Sequence, residues 1–519
     1  TFCGTFGAYS RHDQYFFQRP RQMVAGIVKP PRLDLTNEEL RRSHVHAMWL
    51  AAVGLSLGAR IGELLELKGA YPWPLRPDIQ AATKLSKTRR EECIAACLRV
   101  VAGTATSDPA VDGDQEALAA WVSQTVMAAP DAFDRAFDRW REMYRRAQDQ
   151  LAAAHQILET SLIPLAERRA AEGQHRDALN RRQQLEGTGG GFESEFYPYR
   201  YLANEGFLPA YNFPRLPVRA HVSGEGEGHY IVRSRFQAVR EFGPGNILYD
   251  EGRKHRVTAA AVPAGPVGSV QASGAASLDV AKACRACGHF HPGDPGPDLC
   301  ASCGAKLDAD GAIHYQRLLP LSEVMTRPVD RITSDEEERR RQGYNIATYL
   351  RWAAPAAGGG RGKVNATAVA GAKPLAGLTF GHSATLYRVN RGWRRSGPDG
   401  FEMDLSTGEW GARGHPGGAA VAGVMPYVSD TRNVLLLHPE GEDAAEGPTL
   451  ASLGAALHLG LQAAYQVDSR EMAYEEMGKG DNRAVLFWED AEGSLGVLEE
   501  LVQDPNALAE VARAALDAC

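Results

Sequence analysis

The chain contains no run of about 18 uninterrupted apolar residues. Its most apolar stretch, residues 48–57, is short and helically spaced, so no membrane span is expected. Cysteine is scarce, with eight in 519 residues: four fall in two CxxC pairs, while Cys3, Cys93, Cys97 and Cys519 are scattered. That pattern argues against a disulfide framework and suits metal binding in a reducing compartment, so a cytoplasmic location is expected. Positive charge is not in surplus either. The formal net charge is −7, which confines any nucleic-acid contact to a local groove or helix face. The opening TFCGTFGAYSRHDQYFF lacks a basic segment followed by an apolar core and is not a secretory leader. A start without Met and a stop on Cys519 directly after a helical pattern suggest a reading frame cut at both ends.

Catalytic signatures are missing as well. GGGRGKV at 358–364 approaches a P-loop, but that loop needs Gly at 357 and Ser or Thr at 364, and the chain has Ala357 and Val364. Without the hydroxyl that holds Mg²⁺, the segment reads as a linker. Neither G-x-S-x-G nor H-E-x-x-H occurs. The chain alone is not expected to hydrolyse ATP.

What is present is an ordinary globular composition, 44% hydrophobic and 23% charged, long enough for two to four domains. Thr36 with Glu39 forms a capping box before an apolar helix. On that helix His44 and His46 read as packed histidines, with metal ligation the lesser alternative. From about 113 to 186 the chain is helical and alanine-rich. Phe133, Phe137, Trp140, Tyr144, Ala147, Leu151, Ala154 and Leu158 recur at alternating spacings of four and three, a heptad seam that predicts a helical hairpin. Pro164 should kink or end its first helix. Arg135, Arg139, Arg145 and Arg146 lie off the seam and read as a solvated face, with phosphate contact the alternative.

GTGGG at 187–191 is a break. Beyond it, alternating strand patterns lead through a low-complexity stretch (259–277) to the cysteine pairs. SDEEERRRQGY reads as a solvated helix start and AAPAAGGGRGK as a linker, followed by strands through 378–410. A helix at about 448–466, a strand at 484–490 and two further helices close the chain. The expected fold class is α+β multidomain: helical arm, β-rich zinc-ribbon module and C-terminal α/β domain. The expected boundaries are 1–60, 61–188, 189–345 with the ribbon at 284–303, and 346–519.

The strongest chemical signal is CRACGHFHPGDPGPDLCASCG, in which Cys284, Cys287, Cys300 and Cys303 form two CxxC turns around a twelve-residue loop. Each turn aims two thiolates at one centre, giving a tetrahedral all-sulfur site for Zn²⁺ with no open position, hence a structural ion. Iron in a rubredoxin-like site is the chemical alternative. His289 and His291 in the loop read as spare, with partner contact the alternative. Glu489 and Asp490 end a strand before a helix; a nuclease-like metal site is conceivable there, but strand-end acids are more often structural.

Several segments together resemble superfamily 2 helicases of the MrfA and DISARM (DrmA) type. The opening through HVHAMWLA resembles the segment directly after their last motor motif, and that arginine-bearing motif would fall just before Thr1. ESEFYPYRYLANEGFLPAYNFPRLPV is similar to the DISARM-type members, and SRFQAVREFGPGNILYDEGRKHRV with the ribbon to the wider family's zinc-containing region. VSDTRNVLLLHP, TLASLGAALHLGL and VLFWEDAEGSLGVLEEL resemble their accessory domain of unknown function, with Ser494 in place of a second Gly. The resemblance implies residues 1–60 as the tail of motor domain 2, and an ATP-driven DNA translocase or helicase in phage defence. Structural zinc belongs to this chain, and ATP with Mg²⁺ to a motor half outside it. Cys519 would open a second cysteine cluster. The implied partners are DNA, single- or double-stranded, and other subunits of a defence complex, with no membrane. Candidate DNA contacts are Arg11, His12, Arg19, Arg21 and Lys29 near the motor junction. A second set is the aromatic–basic mixture of Tyr199, Arg200, Tyr201, Tyr211, Phe213 and Arg215, which could stack bases; for any single aromatic, core packing is the stronger reading. A motorless scaffold subunit is the alternative function, and a metal-dependent nuclease at Glu489 and Asp490 a third.

Overall fold

The computed structural model describes residues 7, 11–21, 38–103, 115–160, 164–187, 194–210, 215–222, 228–262, 278–293, 296–331, 343–353, 363–395, 397–405, 407–411, 420–441, 447–490 and 495–518. Thr36, the opening strand-like run, the 334–342 charge run and Cys519 lie outside them.

The first half is helical: α1 (Arg11–Gln18), α2 (Glu38–Val53), α3 (Pro77–Ala82), α4 (Lys87–Gly103), α5 (Gln115–Arg135), α6 (Asp138–Glu159), α7 (Leu165–Glu186) and α8 (Pro198–Asn204). The seam residues explain the packing. Phe133, Phe137, Trp140 and Ala147 are fully buried, whereas Leu151 and Leu158, further out along the hairpin, are half-buried. Trp49 of α2 meets Phe133 at 6.0 Å between ring centroids, so residues on both sides of position 60 share one apolar core. The first hairpin helix stops at Glu159, and Pro164 stands immediately before α7, where its fixed φ and missing N–H cost nothing. Trp140 Nε1 donates to the Leu185 carbonyl at 3.0 Å and Tyr144 donates to Glu186 at 2.7 Å, tying the two helices together.

The second half is built on sheets. Its strands are β1 (Val218–Val222), β2 (His229–Arg233), β3 (Ile247–Asp250), β4 (Arg253–Ala260), β5 (Asp279–Cys284), β6 (Phe290–Pro292), β7 (Ala312–Pro320), β8 (Glu323–Arg331), β9 (Tyr344–Arg351), β10 (Lys363–Ala370), β11 (Lys373–Trp393), β12 (Phe401–Asp404), β13 (Ala420–Pro439), β14 (Met472–Met477) and β15 (Ala484–Glu489). Five form a sheet in the order β2-β1-β8-β4-β3, with α9 (Arg235–Glu241) between β2 and β3 in the chain. The other ten form one sheet around the antiparallel pair β11 and β13. Each of these long strands changes partner along its length. β11 pairs with β10 up to Gly381 and with β9 from Thr385, with a register shift between Gly381 and Ala384. There the Ser383 amide donates to Asn433 Oδ1 at 3.1 Å. β13 pairs with β12, then runs parallel to β7, then pairs with β15. Strands from both sides of residue 345 therefore share this sheet. The helices α10 (Gly447–Tyr465), α11 (Val497–Gln503) and α12 (Ala507–Ala518) cover one part of it through Leu450, Leu461, Leu498 and Val511. Helices and mixed sheets together make this an α+β multidomain protein. Among the described residues, no helix is long and apolar enough to cross a membrane.

The helical half meets the five-stranded sheet through buried charge. Arg181 of α7 pairs with Glu323 of β8 at 2.8 Å, both side chains at most 5% exposed. Arg139 donates to the Pro217 carbonyl at 2.8 Å, and Arg146 lies 3.7 Å from Glu323. The off-seam arginines expected to be solvated are thus partly structural, because the sheet packs against the face that carries them. Arg219, fully buried, sits 5.7 Å from the rings of both Phe196 and Tyr201. Buried histidines flank this core. His46 stacks on Phe207 at 4.4 Å, and burial pushes its pKa down to about 4. Burial, and secondly Arg181, pushes His221 down to about 3. Both groups are depressed below their unfolded value of about 6.5, so the unfolded chain binds more protons and stability falls as pH drops below that value. We expect the urea midpoint to decline steadily from pH 6.5 towards pH 4, and His46→Gln to flatten that decline. A midpoint independent of pH over that window would show that these imidazoles are not held neutral by the fold.

Candidate metal centre

The CxxC segments are too short to be strands throughout, and backbone hydrogen bonds turn each into a knuckle. In the first, the Gly288 amide donates to the Cys284 carbonyl at 3.0 Å and the Cys284 amide to the His289 carbonyl at 2.9 Å. In the second, the Gly304 amide donates to the Cys300 carbonyl at 2.9 Å and the Cys300 amide to the Ala305 carbonyl at 2.8 Å. The two knuckles repeat one geometry, and Gly288 and Gly304 both sit at φ +73°, a conformation that favours glycine. At Gly288 space also matters, since a Cβ there would lie 2.6 Å from Met477 Cγ of β14.

The knuckles face each other. All four Sγ atoms lie within 4.8 Å of one another. Cys284 and Cys303 are 3.7 Å apart, and Cys287 and Cys300 are 3.6 Å apart. A tetrahedral ion with Zn–S bonds of about 2.3 Å sets its sulfurs about 3.8 Å apart, so the four side chains fit such an ion with little adjustment. Burial first, and then the neighbouring Cys303 thiol, pushes the Cys287 thiol above its ordinary value. A divalent cation reverses that preference, because it binds thiolate. The Ser302 amide also points at Cys300 Sγ, 3.4 Å away. These four cysteines can hold a metal ion such as zinc. The ribbon's β5 pairs with both β6 and β7, and β7 runs beside β13, so the cluster is mounted on the main sheet.

His289 and His291 are buried against each other, 4.7 Å between ring centroids, and are not exposed loop histidines. Glu489 is 1% exposed. Its two oxygens accept from the Leu495 and Leu498 amides at 3.1 and 3.0 Å, a carboxylate cap on α11. Asp490 faces Arg432, 3.8 Å away. In a second potential ligand group that the sequence did not single out, His229 with Asp250 and Glu251, His229 Nε2 lies 2.8 Å from Asp250 Oδ2.

The aromatic–basic candidates are dispersed. Tyr199 is exposed and Tyr201 is buried, its hydroxyl accepting from the Trp140 amide at 3.0 Å. Arg200 pairs with Glu195, and Arg215 with Glu39 of α2. Arg19 donates to the Asp517 carbonyl at 2.8 Å, and Arg21 is exposed. Arg11 and His12 lie on α1, with their side chains outside the described set. Lys29, Tyr211 and Phe213 lie outside the described residues.

No family model matches the chain, and no curated protein matches it. Among solved structures it is similar to the crystal structure of the DUF1998 helicase MrfA bound to DNA, at 13% identity and a TM-score of 0.25. That match covers 56% of this chain and 28% of the other.

Proposed function

We propose that this chain is the C-terminal accessory half of an ATP-dependent DNA helicase or translocase of the MrfA and DISARM type, working in phage defence in the cytoplasm. Zn²⁺ on Cys284, Cys287, Cys300 and Cys303 is structural in this reading. The observation that carries it is the convergence of two knuckles on one closed four-sulfur site attached to a sheet of ten strands. A site with four protein ligands leaves no position for substrate, so it braces its surroundings. The sequence resemblance on both sides of the ribbon supplies the helicase part, and ATP and Mg²⁺ belong to a motor half. DNA contact falls to Arg19, Arg21 and Tyr199, together with Arg11, Lys29 and Tyr211. Arg200 and Arg215 join them only by leaving Glu195 and Glu39. Residues 1–60, 61–188, 189–345 and 346–519 are the proposed functional divisions.

Those two ion pairs, with the net charge of −7, favour a second reading, a motorless scaffold that holds other subunits of a defence complex. Binding of single- and double-stranded oligonucleotides across a salt series separates the two. The helicase reading expects log affinity to fall linearly with log salt, the slope counting phosphates at about 0.7 per contact on single strands. Absence of binding at low salt would leave the scaffold.

A further inference from the structure

A cavity of about 310 Å³ opens beside the four-cysteine cluster. Strands distant in sequence build it, with Trp352 following β9, Lys363 and Asn365 on β10, and Thr379 on β11. The second knuckle sets its floor. Ser302 Oγ accepts from Trp352 Nε1 and from Lys363 Nζ, each at 3.3 Å. Gly381 lies against the Trp352 ring, where a Cβ would be 2.6 Å away, and Lys363 Nζ stands 4.8 Å from the ring centroid. His289, 7% exposed, also lines the cavity, and its Nδ1 has no hydrogen-bond partner among the described residues. A buried polar atom left unpaired costs free energy unless a ligand or water satisfies it.

The lining selects for ligand type. Among the described residues it contains no Asp or Glu. Cys287 and Cys303 form part of the wall, and four thiolates around a divalent ion keep a net negative charge that Lys363 only partly offsets. A phosphate buried there is therefore disfavoured. A flat, neutral group with donors and acceptors around its edge suits an indole face beside amide and hydroxyl groups from Asn365, Thr379 and Asn482. The volume lies at the lower end of ligand cavities, about 300–1,000 Å³, enough for one ring system.

We propose that this cavity seats one unpaired base of a nucleic-acid strand, stacked on Trp352, with its edge held by Asn365, Thr379 and His289. This rests on the nucleic-acid reading above. The base takes the place of Lys363 Nζ over the Trp352 ring, and the displaced ammonium turns to the flanking phosphate. In the sequence Lys363 belongs to the failed P-loop; in the fold its place is at a base pocket.

The test uses the metal-loaded full chain and two single strands of equal length, one oligothymidylate and one abasic sugar-phosphate strand. The two share phosphates and differ only in bases. The oligothymidylate should bind about tenfold tighter, equivalent to ~1.4 kcal/mol and within what one base–aromatic stack supplies. Trp352→Ala should abolish that difference while leaving abasic affinity and metal content unchanged. If that variant loses metal, Asn365→Ala combined with Thr379→Val replaces it, with a loss of about threefold confined to the base-bearing strand. Equal, salt-dependent binding of both strands by the unaltered chain overturns the pocket and leaves the nucleic-acid reading standing. So does an equal loss on both strands in the variant. No binding of either strand removes both.

Discussion

Replacing Cys300 with Ala will release the metal and lower the melting temperature by about 10 °C or more. Cys300 is 3% exposed, with its sulfur 3.6 Å from that of Cys287, and losing one of four thiolates opens the closed site and weakens its hold on the ion. In isolated fingers structural zinc contributes ~10–16 kcal/mol to folding. Even a third of that, ~3–5 kcal/mol, gives about 7–20 °C at about 2–4 °C per kcal/mol for a domain of ~150–250 residues, a range that brackets 10 °C. The damage should spread, because β5 leads into Cys284 and pairs with β7, which lies beside the central β13. A chelator should reproduce the effect on the unaltered chain. Cys93→Ala, which removes a buried thiol of α4 remote from the ribbon in sequence, should leave metal content at one ion per chain. Elemental analysis separates zinc from iron, since a four-thiolate iron site would also colour the protein. A chain that gives up its metal and keeps both fold and melting temperature would end the structural reading of the site.

The ribbon was legible in the sequence because its chemistry is local: two CxxC turns, each with its following glycine, need only a few residues to set their geometry. The helical hairpin, the closing helices and β15 were legible for the same reason, since periodicities of 3.6 and 2 are written along one segment, whereas β14 between them was missed. The long-range pairings were not. β11 and β13, at 21 and 20 residues, contain glycines and prolines, yet each is one strand that changes partner along its length. Nothing local says that β7 will lie parallel to β13, more than a hundred residues later, or that Arg139 and Arg146 face a sheet. The same limit applies to Arg215. Its sequence neighbourhood and that of Arg200 suggest a nucleic-acid surface, while Arg200 pairs with the nearby Glu195 and Arg215 with Glu39, which tertiary packing brings from 176 residues away. Trp352 and Lys363 meet only because β9 and β10 both pair with β11.

Glu323→Gln should destabilise the chain by about 3–5 kcal/mol, the range for removing one member of a buried ion pair. The glutamate is 1% exposed. It accepts from Arg181 Nη2 at 2.8 Å and from the Tyr230 hydroxyl at 3.4 Å, with Arg146 at 3.7 Å. Neutralising it leaves two buried guanidinium groups facing an amide, and neither can shed its proton cheaply. The cost comes from this uncompensated charge more than from the lost attraction. Glu323→Leu with Arg181→Met should therefore be less destabilised than Glu323→Gln alone, and a double-mutant cycle will give the coupling directly. Acid supplies an independent check. Burial alone would raise the pKa of Glu323, but Arg181 and Arg146 outweigh it and hold the carboxyl below its ordinary value. Because the folded pKa is the lower one, the pair's contribution is present above the unfolded value of about 4.3. It is lost as pH falls through the folded value. This loss follows the histidine-driven decline that starts near pH 6.5, so acid unfolding should show two successive phases, the second absent in Glu323→Gln. Because the pair joins α7 to β8, protease cleavage between α6 and α7 should also speed up in the variant. A variant within about 1 kcal/mol of the parent, with both acid phases intact, would mean that the arm is held to the sheet by apolar packing and by the Arg139–Pro217 contact instead.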